Sequence, residues 1–158
     1  MFHAGIITAN KIYRIGRITE GLLLGIAEKV DIVEPIAKFS DNLKGKSGIG
    51  EIFNIGLEDW SPKESDESKY DLIWNQWCLG HLTDAQLTTY LEKCQTVLRT
   101  NGLIIVKENM STSVEDLFDE LDSSVTRYVI SRCDESKGRM LNPVGVTRSS
   151  EIFSRKLD

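Results

Sequence analysis

Strand-like and helix-like segments alternate between residues 19 and 109, which predicts an α/β fold on a parallel, doubly wound sheet. Three observations carry that prediction. Short apolar runs recur at 30–34, 51–55, 71–76 and 103–107, as expected of strands buried on both faces. Between them, apolar residues recur at helical spacing, most clearly over 83–98. The strand ends carry polar or glycine residues: Glu34, Gly56, Asn75-Gln76-Trp77 and Glu108-Asn109. Right-handed crossovers put all these carboxyl ends on one edge, where open α/β sheets bind ligands.

Each element has a local reason. Residues 19–29 read as a helix, with Thr19 as its cap and Leu22, Leu23, Ile26 and Ala27 as the apolar stripe. Val30-Asp-Ile-Val-Glu34 is a short strand ended by Pro35, and Ile36 to Leu43 a short helix. The three glycines of 45–50 mark a turn. Glu51-Ile-Phe-Asn-Ile55 is a strand closed by Gly56, and 61–69 a polar loop. The helix over 83–98 presents Leu87, Tyr90, Leu91, Cys94, Val97 and Leu98 on one face. Asp84 in its first turn and Lys93 and Arg99 near its end suit the helix dipole. Asn101-Gly102 is a turn into strand 103–107. Residues 1–127 form the expected core domain. Residues 128–158 have poor periodicity and are expected to lack regular order, with Val144-Gly-Val as a strand fragment.

Composition narrows the function classes. With 158 residues, 41% hydrophobic and 27% charged, the chain suits one globular domain. No apolar run approaches the ~20 residues of a membrane span, and the start lacks a basic region and a cleavage pattern, so secretion is not expected. Three cysteines without CxxC spacing argue against a disulfide framework or zinc site. His3 and His81 are the only histidines, so no metal is expected. A net charge of −5 argues against general nucleic-acid binding. The acidic run Glu115, Asp116, Asp119, Glu120, Asp122 reads as a solvated face or, more sharply, as a cation-attracting mouth.

The richest segment is Tyr70 to Asp84, a buried strand that ends in hydrogen-bonding and aromatic groups. His81 lies there, four residues beyond Trp77 and near Asp84; as an isolated histidine it also reads as a core or capping residue. Asp119 and Asp122 are candidate carboxylate bases. Cys78 has no signature coupling it to His81. Glu34, ending a strand, can accept ribose hydroxyls as in dinucleotide folds, or be a surface carboxylate. Gly56-Leu-Glu-Asp-Trp60 can hold an adenine, or be a turn with a packed Trp60. Upstream, Ile15-Gly16-Arg17 offers only one glycine where such folds carry a glycine-rich turn.

Together these segments resemble the S-adenosylmethionine-dependent α-N-terminal protein methyltransferases, especially the fungal branch. The resemblance runs from Ile15 to Arg127 and rests on Gly16-Arg17-Ile-Thr, Val30-Asp-Ile-Val-Glu-Pro35, Gly56-Leu-Glu-Asp-Trp60, Ile73-Trp-Asn-Gln-Trp-Cys-Leu-Gly-His-Leu-Thr-Asp84, Leu98-Arg-Thr-Asn-Gly102, Val106-Lys-Glu-Asn109 and Asp119-Glu-Leu-Asp-Ser-Ser-Val-Thr-Arg127. The Gln-Trp-x-x-Gly-His-Leu-x-Asp and Asp-x-x-Asp-Ser-Ser-Val segments are its most specific parts.

The resemblance implies a class I methyltransferase-like (Rossmann-like) parallel sheet with flanking helices, incomplete at both ends. It implies that S-adenosyl-L-methionine is the cofactor and that the substrates are proteins beginning Xaa-Pro-Lys, ribosomal proteins among them. Gly16 and Arg17 would contact the methionine end of the cofactor, and Glu34 the ribose, with Pro35 and Ile36 beside the adenosine. Leu57 and Glu58 would bracket the adenine, and Gln76 would hold the amino-acid moiety. Trp77, Asn109 and Ser124 would line the peptide channel, and Asp119 would hold a basic third residue or the amino terminus. His81 and Asp122 would be the base pair.

The departures lie at the ends. The family's Gly-x-Gly-x-Gly turn is represented by Gly16 alone, and the strand before it is at best Ile6-Ile-Thr-Ala. The N-terminal helical region and the closing antiparallel strands are not recognisable. Two alternatives follow: a non-catalytic remnant with a peptide-binding or regulatory role, and a small-molecule class I methyltransferase. A monomer in the cytoplasm, and also in the nucleus, completes the expectation.

Overall fold

The computed structural model describes residues 3–8, 18–61, 70–128 and 144–148, the first and last of these as backbone alone. Six strands form one sheet in the order β3-β2-β1-β4-β5-β8. They are β1 (His3–Thr8), β2 (Lys29–Val33), β3 (Ile49–Phe53), β4 (Tyr70–Gln76), β5 (Leu98–Lys107) and β8 (Val144–Arg148). The first five run parallel, and β8 pairs antiparallel with β5.

Two expectations about the chain ends change here. β1 is a central strand, paired with β2 on one side and β4 on the other, and it starts at His3 rather than near Ile6. Alternation is hard to see in so short a run, but a strand flanked on both edges needs none. β8 extends the sheet beyond the boundary at 127, over the fragment expected at Val144.

Both faces of the sheet are covered. Val33, Ile73 and Ile104 face the helix α3 (Asp84–Val97) and pack on Tyr90, Cys94 and Val97. Val30, Ile32 and Leu72 face the other way, onto Leu23, Ala27 and Leu43. Adjacent residues of β4 thus serve opposite cores, which explains its unbroken apolar run. Each fully buried side chain of this kind stabilises the fold by about 1.5–3 kcal/mol.

α3 is fixed at its start by a reciprocal capping box: Gln86 N–H donates to Thr83 Oγ1 at 3.3 Å, and Thr83 N–H to Gln86 Oε1 at 2.8 Å. The helix expected over 19–29 is a π-helical turn, Thr19–Leu23, leading into α1 (Leu24–Ile26). Thr19 is not its cap; its fully buried Oγ1 has no partner. The helix expected over 36–43 is α2 (Ala37–Ser40) followed by a 3-10 turn.

The Asn101-Gly102 turn is a kink inside β5. Tyr70 pairs with Leu98 while Leu72 pairs with Leu103, so residues 99–102 bulge out. Asn101 takes φ 68°, and a Cβ on Gly102 would lie 3.0 Å from Arg99 O and 3.1 Å from Tyr70 O.

The acidic run, read as a solvated face or a cation-attracting mouth, reaches into a hairpin, β6 (Leu117–Asp119) with β7 (Ser124–Thr126).

Candidate functional site

Three strand ends define one half of the site. Ile7 of β1 lies level with Val33 of β2 and with Asn75 of β4. Glu34 and Gln76 each follow that row by one residue, flanking the end of β1 about two strand spacings, ~10 Å, apart. β1 is where the strand order reverses, the switch point at which such sheets bind ligands.

Glu34 is fully buried, and its Oε1 accepts the Ile36 N–H at 2.9 Å. Asn54 locks the end of β3 to it, donating to Glu34 O at 3.0 Å and Ser40 Oγ at 2.9 Å. Pro35 and Ile36 are exposed beside it. Leu57 is buried in the α3-side core with Trp60, and the Glu58 carboxylate folds back to within 2.5 Å of where a Gly56 Cβ would stand. Gln76 is nearly buried and accepts the Trp74 indole N–H at 3.2 Å. These five residues and Gln76 cluster along one edge. Gly16 and Arg17 lie outside the described residues.

The second half is built where β4 ends. Trp77 takes φ 55°, a left-handed conformation costly for a bulky residue, while its N–H still reaches Lys107 O at 3.0 Å. Its indole is 43% exposed and carries the Lys107 ammonium 5.4 Å from the ring centroid. A 3-10 turn, Leu79–His81, follows and leaves His81 exposed.

Against this turn packs the β6–β7 hairpin. A Cβ on Gly80 would lie 3.1 Å from Val125 O and 3.5 Å from Ser124 Cβ, so a glycine permits the approach. Asp119 pairs with Ser124 across the hairpin. Asp119 Oδ1 accepts Leu121 N–H at 2.9 Å, and Asp122 Oδ1 accepts Ser124 N–H at 3.0 Å. Trp77, His81, Asp122 and Ser124 therefore belong to two adjoining turns, and Asn109 is exposed just past β5, the neighbour of β4.

Sequence reasoning missed three residues of this junction. The Glu108 Oε1 accepts the N–H groups of Cys78 and Leu79 at 2.7 and 2.9 Å. Burial holds its carboxyl above the ordinary range, against the lowering effect of those amides, His81 and Arg127. Arg127 donates to Asp84 Oδ1 at 2.9 Å, Leu79 O at 2.9 Å and Leu82 O at 2.5 Å. Asn75, fully buried, accepts the Tyr90 hydroxyl at 2.7 Å and leaves its Nδ2 without a partner. Glu108 was detectable as an acid at a strand's carboxyl end; Arg127 and Asn75 carried no spacing signal. Burial and the Glu108 charge push the Cys78 thiol well up, the environment of a structural cysteine.

The residues fit a nucleoside-bearing cofactor. A buried carboxylate ends the strand beside the switch point, an amide side chain lies across it, and Thr19 Oγ1 is an orphaned polar atom two residues after Arg17.

Comparison with known proteins agrees. Residues 8–140 match the family model described as AdoMet-dependent proline di-methyltransferase. The alpha N-terminal protein methyltransferase 1 of Schizosaccharomyces pombe is 47% identical over 77% of this chain and 52% of its own length. The N-terminal Xaa-Pro-Lys N-methyltransferase 1 of Xenopus tropicalis is 42% identical over 73% of this chain and 52% of its own. A Leishmania major SAM-dependent methyltransferase structure aligns with a TM-score of 0.69 and 31% identity, covering 82% of this chain and 51% of that one. The DhpI–SAM–HEP complex, 14% identical with a TM-score of 0.60 over 80% of this chain and 64% of its own, shares the fold. The chain spans about half the length of the curated relatives it matches. By sequence over most of its length and by fold, this chain belongs to the AdoMet-dependent proline di-methyltransferase family.

Proposed function

We propose that this chain carries the core of a protein methyltransferase that moves a methyl group from S-adenosyl-L-methionine to the α-amino group of proteins beginning Xaa-Pro-Lys. The observation that carries the reading is the junction of the Trp77–His81 turn with the acidic β6–β7 hairpin, directly after Gln76 at one end of the Glu34–Gln76 edge. It brings an aromatic wall, an imidazole and carboxylates beside a cofactor-type cradle.

Glu34, with Pro35 and Ile36, would hold the ribose side of the cofactor, Leu57 and Glu58 the adenine, and Gln76 with Gly16 and Arg17 the amino-acid end. When bound, S-adenosyl-L-methionine supplies an electrophilic methyl on a sulfonium. The rest of the chemistry belongs to the chain. An α-amino group with a pKa of about 7.7–8.0 is largely protonated at neutral pH, and its lone pair must be freed before it can attack. His81 and Asp122 would take that proton. Trp77, Asn109 and Ser124 would hold the peptide extended, and Asp119 a cationic side chain, so that the amine points along the attack line. The acidic hairpin draws in a doubly cationic peptide end.

We place the reaction on cytoplasmic and nuclear substrates, ribosomal proteins among them, with the enzyme a monomer. The deciding experiment incubates the full-length protein with labelled cofactor and an Xaa-Pro-Lys peptide. Label on the peptide's α-nitrogen is expected, and none after amino-terminal acetylation. Peptide binding with no heat of S-adenosyl-L-methionine binding and no transfer would favour the non-catalytic remnant, and transfer to small amines but not to peptide the small-molecule alternative.

A further inference from the structure

We infer that Glu108, which touches neither reactant in the proposed reaction, is a positioning residue: together with Arg127 it clamps the turn that carries Trp77 and His81. This inference rests on the methyltransferase reading above. The geometry is two-handed. Glu108 takes the consecutive N–H groups of Cys78 and Leu79 on a single oxygen, at 2.7 and 2.9 Å. Consecutive amides of this kind form an anion-binding nest, here filled by the protein's own carboxylate. Arg127 takes the carbonyls of Leu79 and Leu82 at 2.9 and 2.5 Å. Leu79 is therefore held through both its N–H and its C=O.

The clamp answers a specific need. Trp77 sits at φ 55°, which a chain free to relax would abandon. No side chain caps the following 3-10 turn, and its outward residue, His81, is exposed. Lys107 meets the indole and the Trp77 N–H, and among the described residues the rest of the turn is held by Glu108, just past β5, and by Arg127, just past β7. Because Arg127 directly follows β7, whose Ser124 and Val125 pack against Gly80 of the turn, the clamp sets the spacing between the turn and the hairpin. Arg127 N–H chemistry is reinforced at the backbone, where its carbonyl accepts Ser111 N–H at 3.0 Å and ties in the segment after Asn109.

The test compares Glu108→Ala and Glu108→Gln in the full-length protein by two readouts. The first is peptide methylation. Losing the anchor in Glu108→Ala lets the turn drift, and a displacement near 1 Å costs kcat roughly tenfold to a hundredfold. The cofactor KM, set by Glu34 across β1 and by Gln76 inside the paired part of β4, should stay within about twofold. Glu108→Gln keeps an acceptor in place and should recover to within about fivefold of wild type, since the neutral bond is weaker but not absent. The second readout is the backbone amide signals of Cys78 and Leu79 by nuclear magnetic resonance. Both should move upfield in Glu108→Gln and lose exchange protection in Glu108→Ala. Unchanged amide signals overturn the clamp, as does an equal loss of cofactor affinity and peptide turnover in both variants. A wild-type protein that methylates no peptide sinks the methyltransferase reading instead, and the amide signals still decide the clamp.

Discussion

Arg127→Met is the sharpest test of how this fold is held at its site. Methionine replaces the stem of the arginine with a chain of similar length and removes its donors. Three bonds go with it: to Asp84 Oδ1, Leu79 O and Leu82 O. They are not equal. The Asp84 side chain is 44% exposed and returns to water when its partner leaves, so that pair is worth about 0.5–1 kcal/mol. The Leu79 carbonyl keeps the Leu82 N–H at 3.3 Å, but the Leu82 carbonyl, in a residue 2% exposed, loses its arginine donor, which costs about 1–3 kcal/mol. Removing the arginine relieves some desolvation, as its side chain is only 15% exposed. The net loss expected is about 1.5–3 kcal/mol, a sizeable part of the ~5–15 kcal/mol that holds a domain together.

Urea unfolding by linear extrapolation measures this directly, provided the slope matches that of wild type. Asp84→Asn is the internal control and should cost less than about 1 kcal/mol. Arg127→Lys keeps the charge but cannot span three acceptors, so it should recover less than half of the loss. If Arg127→Met costs under about 1 kcal/mol, or if Asp84→Asn costs as much as Arg127→Met, the carbonyl-holding role is wrong.

Three other outcomes follow from the same geometry. Tyr90→Phe strips from Asn75 Oδ1 the hydroxyl it accepts, in a side chain whose Nδ2 is already unpaired, and should cost about 1–3 kcal/mol; adding Asn75→Leu should return most of it, because an apolar pair leaves nothing unsatisfied. A double variant less stable than Tyr90→Phe alone would contradict this. Glu34→Gln keeps the shape of the buried side chain but removes its charge, and should weaken S-adenosyl-L-methionine binding by roughly ten- to a hundredfold in calorimetry; equal affinity would remove Glu34 from the cofactor site. For Glu108, burial raises the folded pKa above that of the unfolded chain. The native state then binds the proton more tightly, so this contribution is full below the ordinary carboxylate range and is lost as pH rises through the folded value. The stability of wild type minus Glu108→Gln should therefore fall from about pH 4 upward and then level off; a difference that is flat or rising refutes the burial argument.

The sheet was legible because strands such as 71–76, buried on both faces, leave an unbroken apolar signature, and α3 because Leu87, Tyr90, Cys94 and Val97 keep helical spacing. What escaped was structure specified by pairing rather than by pattern. β1 is too short to show periodicity, and its place is set by two neighbours. The β6–β7 hairpin hides in an acidic run because its tip is made by carboxylates bonding to their own backbone, a device that reads in sequence as mere solvation. Asn101-Gly102 had the chemistry of a turn but serves as a bulge within β5, since β4 supplies the partner strand. In the site, residues that face outward, such as Trp77 and His81, were readable from the motif that contains them. Glu108 and Arg127, which hold that turn from just past β5 and β7, lie 30 residues from Cys78 and 48 from Leu79, and their holding role becomes visible only once the turns meet.

The hairpin tip imposes a constraint on how Asp122 must be tested. Its Oδ1 already accepts Ser124 N–H at 3.0 Å, within a tip where Ser123 holds φ 57°. One carboxylate therefore has two duties, shaping the tip and, in the proposed reaction, bearing charge near the amine. Asparagine separates them. Its carbonyl can keep the Ser124 bond while the charge disappears, so Asp122→Asn should unfold within about 0.5 kcal/mol of wild type. Its methylation of an Xaa-Pro-Lys peptide should fall by roughly a hundredfold or more, the scale of general-base removal. Asp122→Ala loses both duties, costing about 1 kcal/mol of stability in addition and loosening Ser124. The decisive comparison is pH. If Asp122 and His81 share the proton, raising pH deprotonates the substrate amine in solution and should restore part of the Asp122→Asn rate near pH 9, above the amine's pKa of about 8. An Asp122→Asn rate that stays equally depressed from pH 7 to 9 would mean that the residue shapes the tip or binds the cation, and that the base lies elsewhere in the junction.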